Sequence, residues 1–215
     1  MSMPIGACER FPATASAPSA TVFIVDDDPD VRRSVSLLVR SIGLADECFS
    51  TAQDFLQHYD PSKPGCLVLD IRMPGMSGLE LQKSLNAADV VPPIIFITAH
   101  GEIPCASQAI RDGAVDFIQK PFSPQTLLER IREAVGRDQE SRRKRALART
   151  IQERMTRLTD REREIMDLLS RGESTKQIAQ RLSISPKTVD NHRAKVLEKM
   201  NVDNPTQLAH LLAAL

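Results

Sequence analysis

Four apolar runs, each closed by a polar side chain, limit what this chain can fold into. Phe23-Ile24-Val25 leads into Asp26-Asp27-Asp28, Cys66-Leu67-Val68-Leu69 into Asp70, Ile94-Ile95-Phe96-Ile97 into Thr98, and Val115-Asp116-Phe117-Ile118 into Lys120-Pro121. Continuous apolar runs this short read as strands covered on both faces. Helix-like stretches separate them, and such alternation makes a parallel sheet between helical layers. All carboxyl ends of a parallel sheet lie along one edge, where open α/β folds do their chemistry. Three carboxylates, a hydroxyl and an ammonium group are expected at that edge.

Local signals fill in residues 21–135. Val22–Val25 is the first strand. Asp28-Pro29 offers an N-cap and a proline at the first helical position. Val31, Val35, Leu38, Val39 and Ile42 then repeat at helical spacing up to Gly43. Leu44–Phe49 reads as a second strand, and Ser50 with Gln53 as a capping box for a helix to about Tyr59. Strand Cys66–Asp70 and a loop precede a helix from about Gly78 to Asn86. Strand Ile94–Thr98 precedes a helix from about Pro104 to Arg111, ended by Gly113. After strand Val115–Gln119, Ser123-Pro124 opens a helix with Leu127, Leu128, Ile131 and Val135 on one face. Five βα units result.

Charge divides the chain. Residues 1–140 hold 12 Lys and Arg against 19 Asp and Glu, and residues 141–215 hold 16 against 9, although the whole is neutral. An acidic part joined to a basic part argues for two domains with different partners, the basic one suited to nucleic acid. From Gly136 to Leu158 the sequence is charged and includes Arg142-Arg143-Lys144-Arg145. Leu147, Ile151, Met155 and Leu158 keep helical spacing, so a helical connector is expected. Residues 159–215 read as four capped helices. Thr159 with Glu162 and Ser174 with Gln177 are capping boxes, and Ser185-Pro186 and Asn204-Pro205 open the last two.

No apolar run approaches the roughly 18–20 residues that cross a bilayer. Residues 1–20, rich in Ala, Ser, Thr and Pro, lack a basic start and apolar core, and read as a disordered leader. Met3 reads as an alternative start. Cys8, Cys48, Cys66 and Cys105 show no metal-ligand or disulfide spacing and read as buried thiols in a reducing cytosol.

The acidic edge has a definite chemistry. An aspartate can attack a phosphoryl group and become an acyl phosphate. Asp26 and Asp27 beside Asp70 would serve a hard cation such as Mg²⁺, Lys120 would offset the developing charge, and Thr98 would hydrogen-bond the new phosphate. Singly these residues are commonplace strand ends and caps. Their ordered occurrence at four strand ends is not.

The segments Val25-Asp26-Asp27-Asp28, Asp70 with Met73-Pro74-Gly75-Met76-Ser77-Gly78, Thr98-Ala99 and Lys120-Pro121-Phe122 closely resemble the receiver domain of two-component response regulators. The resemblance covers about residues 21–137. It implies a flavodoxin-like five-stranded parallel sheet of order 2-1-3-4-5, with Asp70 accepting phosphate from a sensor histidine kinase. It also implies Mg²⁺ on Asp27, Asp70 and the backbone carbonyl of Arg72, with Asp26 acting largely through water. Thr98 would be the switch hydroxyl and Phe117 the coupled aromatic. A cis peptide between Lys120 and Pro121 is implied as well. His100, two residues past Thr98, reads as a loop residue.

Ser174–Met200 reads as helix, tight turn, helix, with Ile178, Ala179 and Leu182 packing the first helix and Val189, Val196 and Leu197 the second. Such a unit lays its second helix in the major groove and its first across the backbone. Leu158-Thr159-Asp160-Arg161-Glu162-Arg163-Glu164-Ile165, Gly172–Ala179 and Leu182–His192 strongly resemble the LuxR-type DNA-binding domain over about residues 156–213. With the receiver, the whole resembles the FixJ/NarL subfamily of transcription regulators. Candidate DNA contacts are Ser174, Thr175, Lys176, Lys187, Thr188, Asn191, His192, Arg193 and Lys195. Of these, Lys176, Thr188, His192 and Lys195 are assigned mainly to phosphate, and Lys187, Asn191 and Arg193 to base edges. Asp190 stands where many relatives carry lysine, and it would either accept from a cytosine amino group or repel the wrong phosphate.

The organisation expected is a leader over 1–20, a receiver over 21–137, a helical linker over 138–157 and an all-α DNA-binding bundle over 158–215. The function expected is a cytoplasmic, phosphorylation-gated transcription regulator that dimerises on phosphorylation, binds double-stranded promoter DNA and works with RNA polymerase. Haloacid-dehalogenase-like phosphatases also use an aspartate after a strand. They need a second aspartate two residues on, where Arg72 stands, so the chain is not read as an enzyme. A sigma-factor-like subunit would share the helix-turn-helix but would not need the acidic domain.

Overall fold

The computed structural model describes residues 20–88, 91–98, 109–213 and 215. It divides into two units, residues 1–139 and 140–215. In the first, strands β1 (Thr21–Val25), β2 (Ala45–Phe49), β3 (Gly65–Asp70), β4 (Ile94–Thr98) and β5 (Asp116–Gln119) form one parallel sheet of order β2-β1-β3-β4-β5. Helices α1 (Pro29–Ser41), α2 (Ala52–His58) and α3 (Gly78–Ala87) belong to the same unit.

Alternation along the strands builds two cores, one on each face. Phe23, Val25, Leu67, Leu69, Ile94 and Phe96 pack with Phe55 of α2 and Leu81 and Leu85 of α3. Val22, Ile24, Cys66, Val68, Ile95 and Ile97 pack with Val35 and Val39 of α1 and with Leu127 and Ile131 of the helix that starts at Pro124. The apolar runs are continuous because both sets are buried. The expected helix from Pro104 to Arg111 lies mostly outside the described residues, and His100, Cys8, Cys105 and the leader apart from Ala20 lie wholly outside them. Ala20 itself is buried in the second core.

Local caps explain the helix starts, with one correction. Asp28 caps α1, accepting the Asp30 N–H at 2.8 Å, with Pro29 at N1. The expected Ser50–Gln53 box does not form. Thr51 takes the cap and accepts the Asp54 N–H at 3.1 Å, because Ala52 fills a fully buried site and fixes the helix one residue later. Ser77 and Glu80 make a reciprocal capping box on α3.

The expected last receiver helix and connector are one element, α4 (Pro124–Met155), 32 residues long. Gly136 does not interrupt it. A helical glycine costs about 1 kcal/mol relative to alanine, and buried neighbours on both sides, Ala134, Val135 and Asp138, hold that stretch. The division between the units falls within this helix, between residues 139 and 140.

In the second unit, the C-terminal end of α4 joins α5 (Asp160–Ser170), α6 (Thr175–Leu182), α7 (Pro186–Met200) and α8 (Pro205–Leu212). Ile151, Leu158, Ile165, Leu169, Ile178, Val189, Val196, Met200 and Leu208 form its core. The caps are Thr159, Ser174, Ser185 and Asn204. Ser183 adopts a left-handed conformation, φ 52°, at the tight turn between α6 and α7. Cys66 is buried as expected, whereas Cys48 on edge strand β2 is exposed. Among the described residues, no helix is long and apolar enough to cross a membrane.

Candidate phosphoacceptor site and nucleic-acid interface

The carboxyl ends of β1, β3 and β5 bring Asp26, Asp70 and Lys120 together. Lys120 Nζ lies 2.8 Å from Asp26 Oδ2 and 2.6 Å from Asp70 Oδ1. Asp26 and Asp70 are buried, at 2% and 7% exposure. The Lys120 N–H donates to the Thr98 carbonyl at 2.7 Å, and the following bond to Pro121 is cis. Arg32 Nη1 donates to the Asp26 carbonyl at 2.6 Å, a contact with no sequence signal. The remaining carboxylate oxygens take backbone donors. Asp26 Oδ1 accepts from Asp28 N–H at 2.9 Å, and Asp70 Oδ2 from Arg72 N–H at 2.7 Å.

The loop after Asp70 closes tightly on it. Gly78 donates to the Ile71 carbonyl at 3.0 Å, and a Cβ at Gly78 would lie 2.2 Å from the Asp70 carbonyl oxygen. Only glycine permits that approach.

Two buried carboxylates share one ammonium, while the Arg32 guanidinium sits on the Asp26 backbone carbonyl. Burial pushes the Asp70 carboxyl above its ordinary range and Asp26 adds to the rise, against the opposing pull of Lys120 and the Arg72 N–H. Burial works against the charged form of Lys120, but its two carboxylate partners outweigh this and hold it above the usual lysine value.

The other expected residues are placed differently. Thr98 is buried at the end of β4, one residue beyond Ile97, the register partner of Asp70. Phe117 pairs with Phe96 and packs, half-buried, against the first core. Asp27 and Arg72 are exposed. Among the described residues, no three His, Cys, Asp or Glu side chains group closely enough to hold a metal. Asp27 stands exposed next to buried Asp26, where the chain leaves the sheet to enter the Asp28 cap.

On α7, Val189, Val196 and Met200 are buried, and Lys187, Asn191 and Lys195 form an exposed stripe at i, i+4 and i+8. Lys176 is exposed on α6, while Thr188, His192 and Arg193 are half-buried. Ser174 is engaged in its own cap with Gln177. Ser185 Oγ accepts the Thr188 N–H at 3.0 Å and lies 2.7 Å from Thr188 Oγ1. Thr175 Oγ1 donates to Asp190 Oδ1 at 3.1 Å. This pair was missed from sequence, where the one clue is an acid placed among the cations of that helix.

The family model for the response regulator receiver domain matches residues 22–132, and that for bacterial regulatory proteins of the luxR family matches residues 156–212. The response regulator protein TodT of Pseudomonas putida is 42% identical over 193 residues, covering 90% of this chain and 85% of its own length. The transcriptional regulatory protein FixJ of Azorhizobium caulinodans is 39% identical over 193 residues, covering 90% and 92%. The solved structure of the response regulator StyR matches with a TM-score of 0.83 and 43% identity, over 92% of this chain and all of that one. The chain belongs to the FixJ/NarL family of response regulators. Like other FixJ/NarL regulators it joins a receiver to a LuxR-type DNA-binding domain, and it is a phosphorylation-regulated transcription regulator rather than an enzyme.

Proposed function

We propose that Asp70 is the phosphoacceptor and a sensor histidine kinase the donor. The observation that most supports this is the one ammonium, Lys120, held between two buried carboxylates. A carboxylate oxygen of Asp70 attacks the phosphorus of a phosphohistidine. The O–P bond forms as the N–P bond breaks, and the imidazole departs with the electron pair and takes up a proton. Lys120 offsets the charge on the transferring phosphoryl oxygens.

The donor chemistry suits Mg²⁺, which takes carboxylate and carbonyl oxygens and keeps several waters. Asp26 and Asp70 share the single Lys120 ammonium, and each of their hydrogen-bonded oxygens has a second acceptor position. Asp26, Asp27, Asp70 and the Arg72 carbonyl would hold the ion. When bound, it supplies positive charge to the phosphoryl oxygens.

In this reading Thr98 bonds the new phosphate and Phe117 moves with it, which favours a homodimer. Residues 21–137 act as the receiver, 138–157 as the helical linker and 158–215 as the DNA-binding domain, in the cytoplasm and in concert with RNA polymerase. Lys187 and Asn191 read base edges from the exposed stripe, with Arg193 beside them. Lys176, Thr188, His192 and Lys195 hold the phosphate backbone, with Ser174 and Thr175 beside them at the start of α6. Phosphorylation acts because the modified aspartate stabilises one conformer over another.

The test is acyl-phosphate labelling with a small-molecule phosphodonor, paired with duplex binding. Wild type is expected to be labelled and to bind promoter DNA more tightly, and Asp70→Asn to do neither. Labelling that persists in Asp70→Asn, or affinity indifferent to donor and mutation alike, overturns the reading.

A further inference from the structure

Residues 133–155 lie between the two matched family models, which end at 132 and resume at 156. Within them, α4 carries an unusual concentration of cations. From Ser141 to Met155 there are six Lys and Arg, five of them Arg, against the single acid Glu153. This segment belongs to the unit that contains α7. We infer that the face of α4 bearing Arg145 and Arg149 is a second DNA-contacting surface, which binds backbone phosphates flanking the base pairs met by α7.

Several observations carry this. Arg145 and Arg149 are exposed, stand four residues apart on one side of the helix, and have no ion-pair partner among the described residues. Lys144 has one, Glu140 at 3.6 Å, with both side chains well exposed. Such a pair holds little. Ile151, fully buried in the core with Val189 and Val196 of α7, points from the opposite side of α4. The arginines therefore face away from that core. At about 1.5 Å per residue, Arg149 and Arg145 stand only about 3 and 9 Å along the axis from Ile151. At the same end, Arg154 Nη1 donates to the Met200 carbonyl at 2.8 Å, which ties α4 to α7 directly.

The chemistry selects the occupant. A duplex carries one negative charge per roughly 1.7 Å of axis, and guanidinium forks match phosphate oxygens better than ammonium groups do. A second copy of α4 is a poor occupant, since residues 138–145 offer no apolar side chain and would set like charges together.

The experiment uses the full chain and two duplexes of equal length, one promoter-derived and one scrambled, over a range of salt. Each lost phosphate contact lowers the slope of log K against log salt by about 0.9. Arg145→Gln/Arg149→Gln is expected to flatten the slope by about 1.8 on both duplexes, with at least about a tenfold affinity loss at 0.1 M salt. Arg145→Lys/Arg149→Lys is expected to keep the slope. An unchanged slope, a loss confined to the promoter duplex, a loss shared by the lysine pair, or an equal loss from Arg143→Gln/Lys144→Gln on the flank overturns the inference. Lost labelling of Asp70 has no bearing on this readout, which separates it from the test of phosphorylation.

Discussion

The Thr175 hydroxyl of α6 donates to the Asp190 carboxylate of α7 at 3.1 Å, across the turn of the helix-turn-helix. Asp190 is exposed, and on the helix it lies beside the Lys187, Asn191 and Lys195 stripe. It therefore links the two helices and at the same time places a negative charge next to the proposed nucleic-acid face. Neither role excludes the cytosine contact open to its other oxygen.

Asp190→Asn keeps an acceptor for Thr175 and removes the charge. We expect it to raise affinity for scrambled duplex several-fold and to lower discrimination between promoter and scrambled sequence, because repulsion of misplaced phosphates is lost. Asp190→Ala is expected to do the same and also to lower the melting temperature of the second unit. Binding isotherms on both duplexes check the first effect, and thermal denaturation the second.

Removing Lys120 leaves two buried carboxylates without their cation. Lys120→Met is expected to destabilise the first unit by about 1–3 kcal/mol at pH 7, less than a fully buried pair because the lysine side chain is partly in water. The sign of the pH response follows from Asp70, whose pKa is raised. A raised carboxyl favours the fold below its unfolded pKa and loses that contribution as pH rises through the folded one. The variant is therefore expected to recover stability as pH falls from 7 toward 5, measured by thermal melts across that range. Labelling of Asp70 is expected to fall at least tenfold.

Glu162 gives the opposite sign. Buried at 3% exposure, it pairs with Lys199 Nζ at 2.6 Å and accepts the Thr159 N–H at 2.8 Å. The Lys199 bond, then the Thr159 N–H, hold its pKa down at about 2. A depressed carboxyl contributes stability above its unfolded pKa and loses it as pH falls toward the folded one. The second unit is expected to weaken between about pH 4.5 and pH 2. Glu162→Gln keeps the cap but not the charge, and is expected to cost roughly 1–2 kcal/mol at pH 7 and to flatten the acid limb of the stability profile.

At the far end of β3 from Asp70, the Gly65 N–H donates to Asp138 Oδ2 of α4 at 2.8 Å in a buried site. A Cβ at Gly65 would lie 1.7 Å from the Thr21 carbonyl oxygen. Gly65→Ala is expected to cost about 2–4 kcal/mol through that overlap, and Asp138→Ala about 1–3 kcal/mol through the orphaned N–H. Asp138→Asn keeps an acceptor and should cost least. Chemical denaturation of the three variants checks the order.

The parallel sheet and the polar residues at its edge could be read from sequence because four of its strands carry apolar runs that stop at polar side chains, whereas β2 is largely exposed and the order 2-1-3-4-5 came only with the resemblance to receiver domains. Asp26, Asp70 and Lys120 needed only strand ends to be placed. Caps were legible where the capping residue also started the buried pattern, as at Thr159 and Ser174. The reading slipped at Ser50, because the burial of Ala52 chose the start of α2 and local propensity did not. Exposure was less legible than position: Asp26 is buried and Asp27, the next residue, is exposed, because successive residues at a strand end turn to different sides. Contacts between residues far apart in the chain, Gly65 with Asp138 and Thr175 with Asp190, left no periodic trace to read.

Each of α5, α6, α7 and α8 opens on a side chain from its own sequence that takes up a backbone N–H of its first turn: Thr159, Ser174, Ser185 and Asn204. These helices do not wait for phosphate oxygens to complete their ends. The recognition surface is thus assembled before a duplex arrives, so association is limited by electrostatic encounter rather than by coupled folding. Its heat-capacity change on binding should reflect only the area covered, with none of the larger signature of a segment that orders on contact.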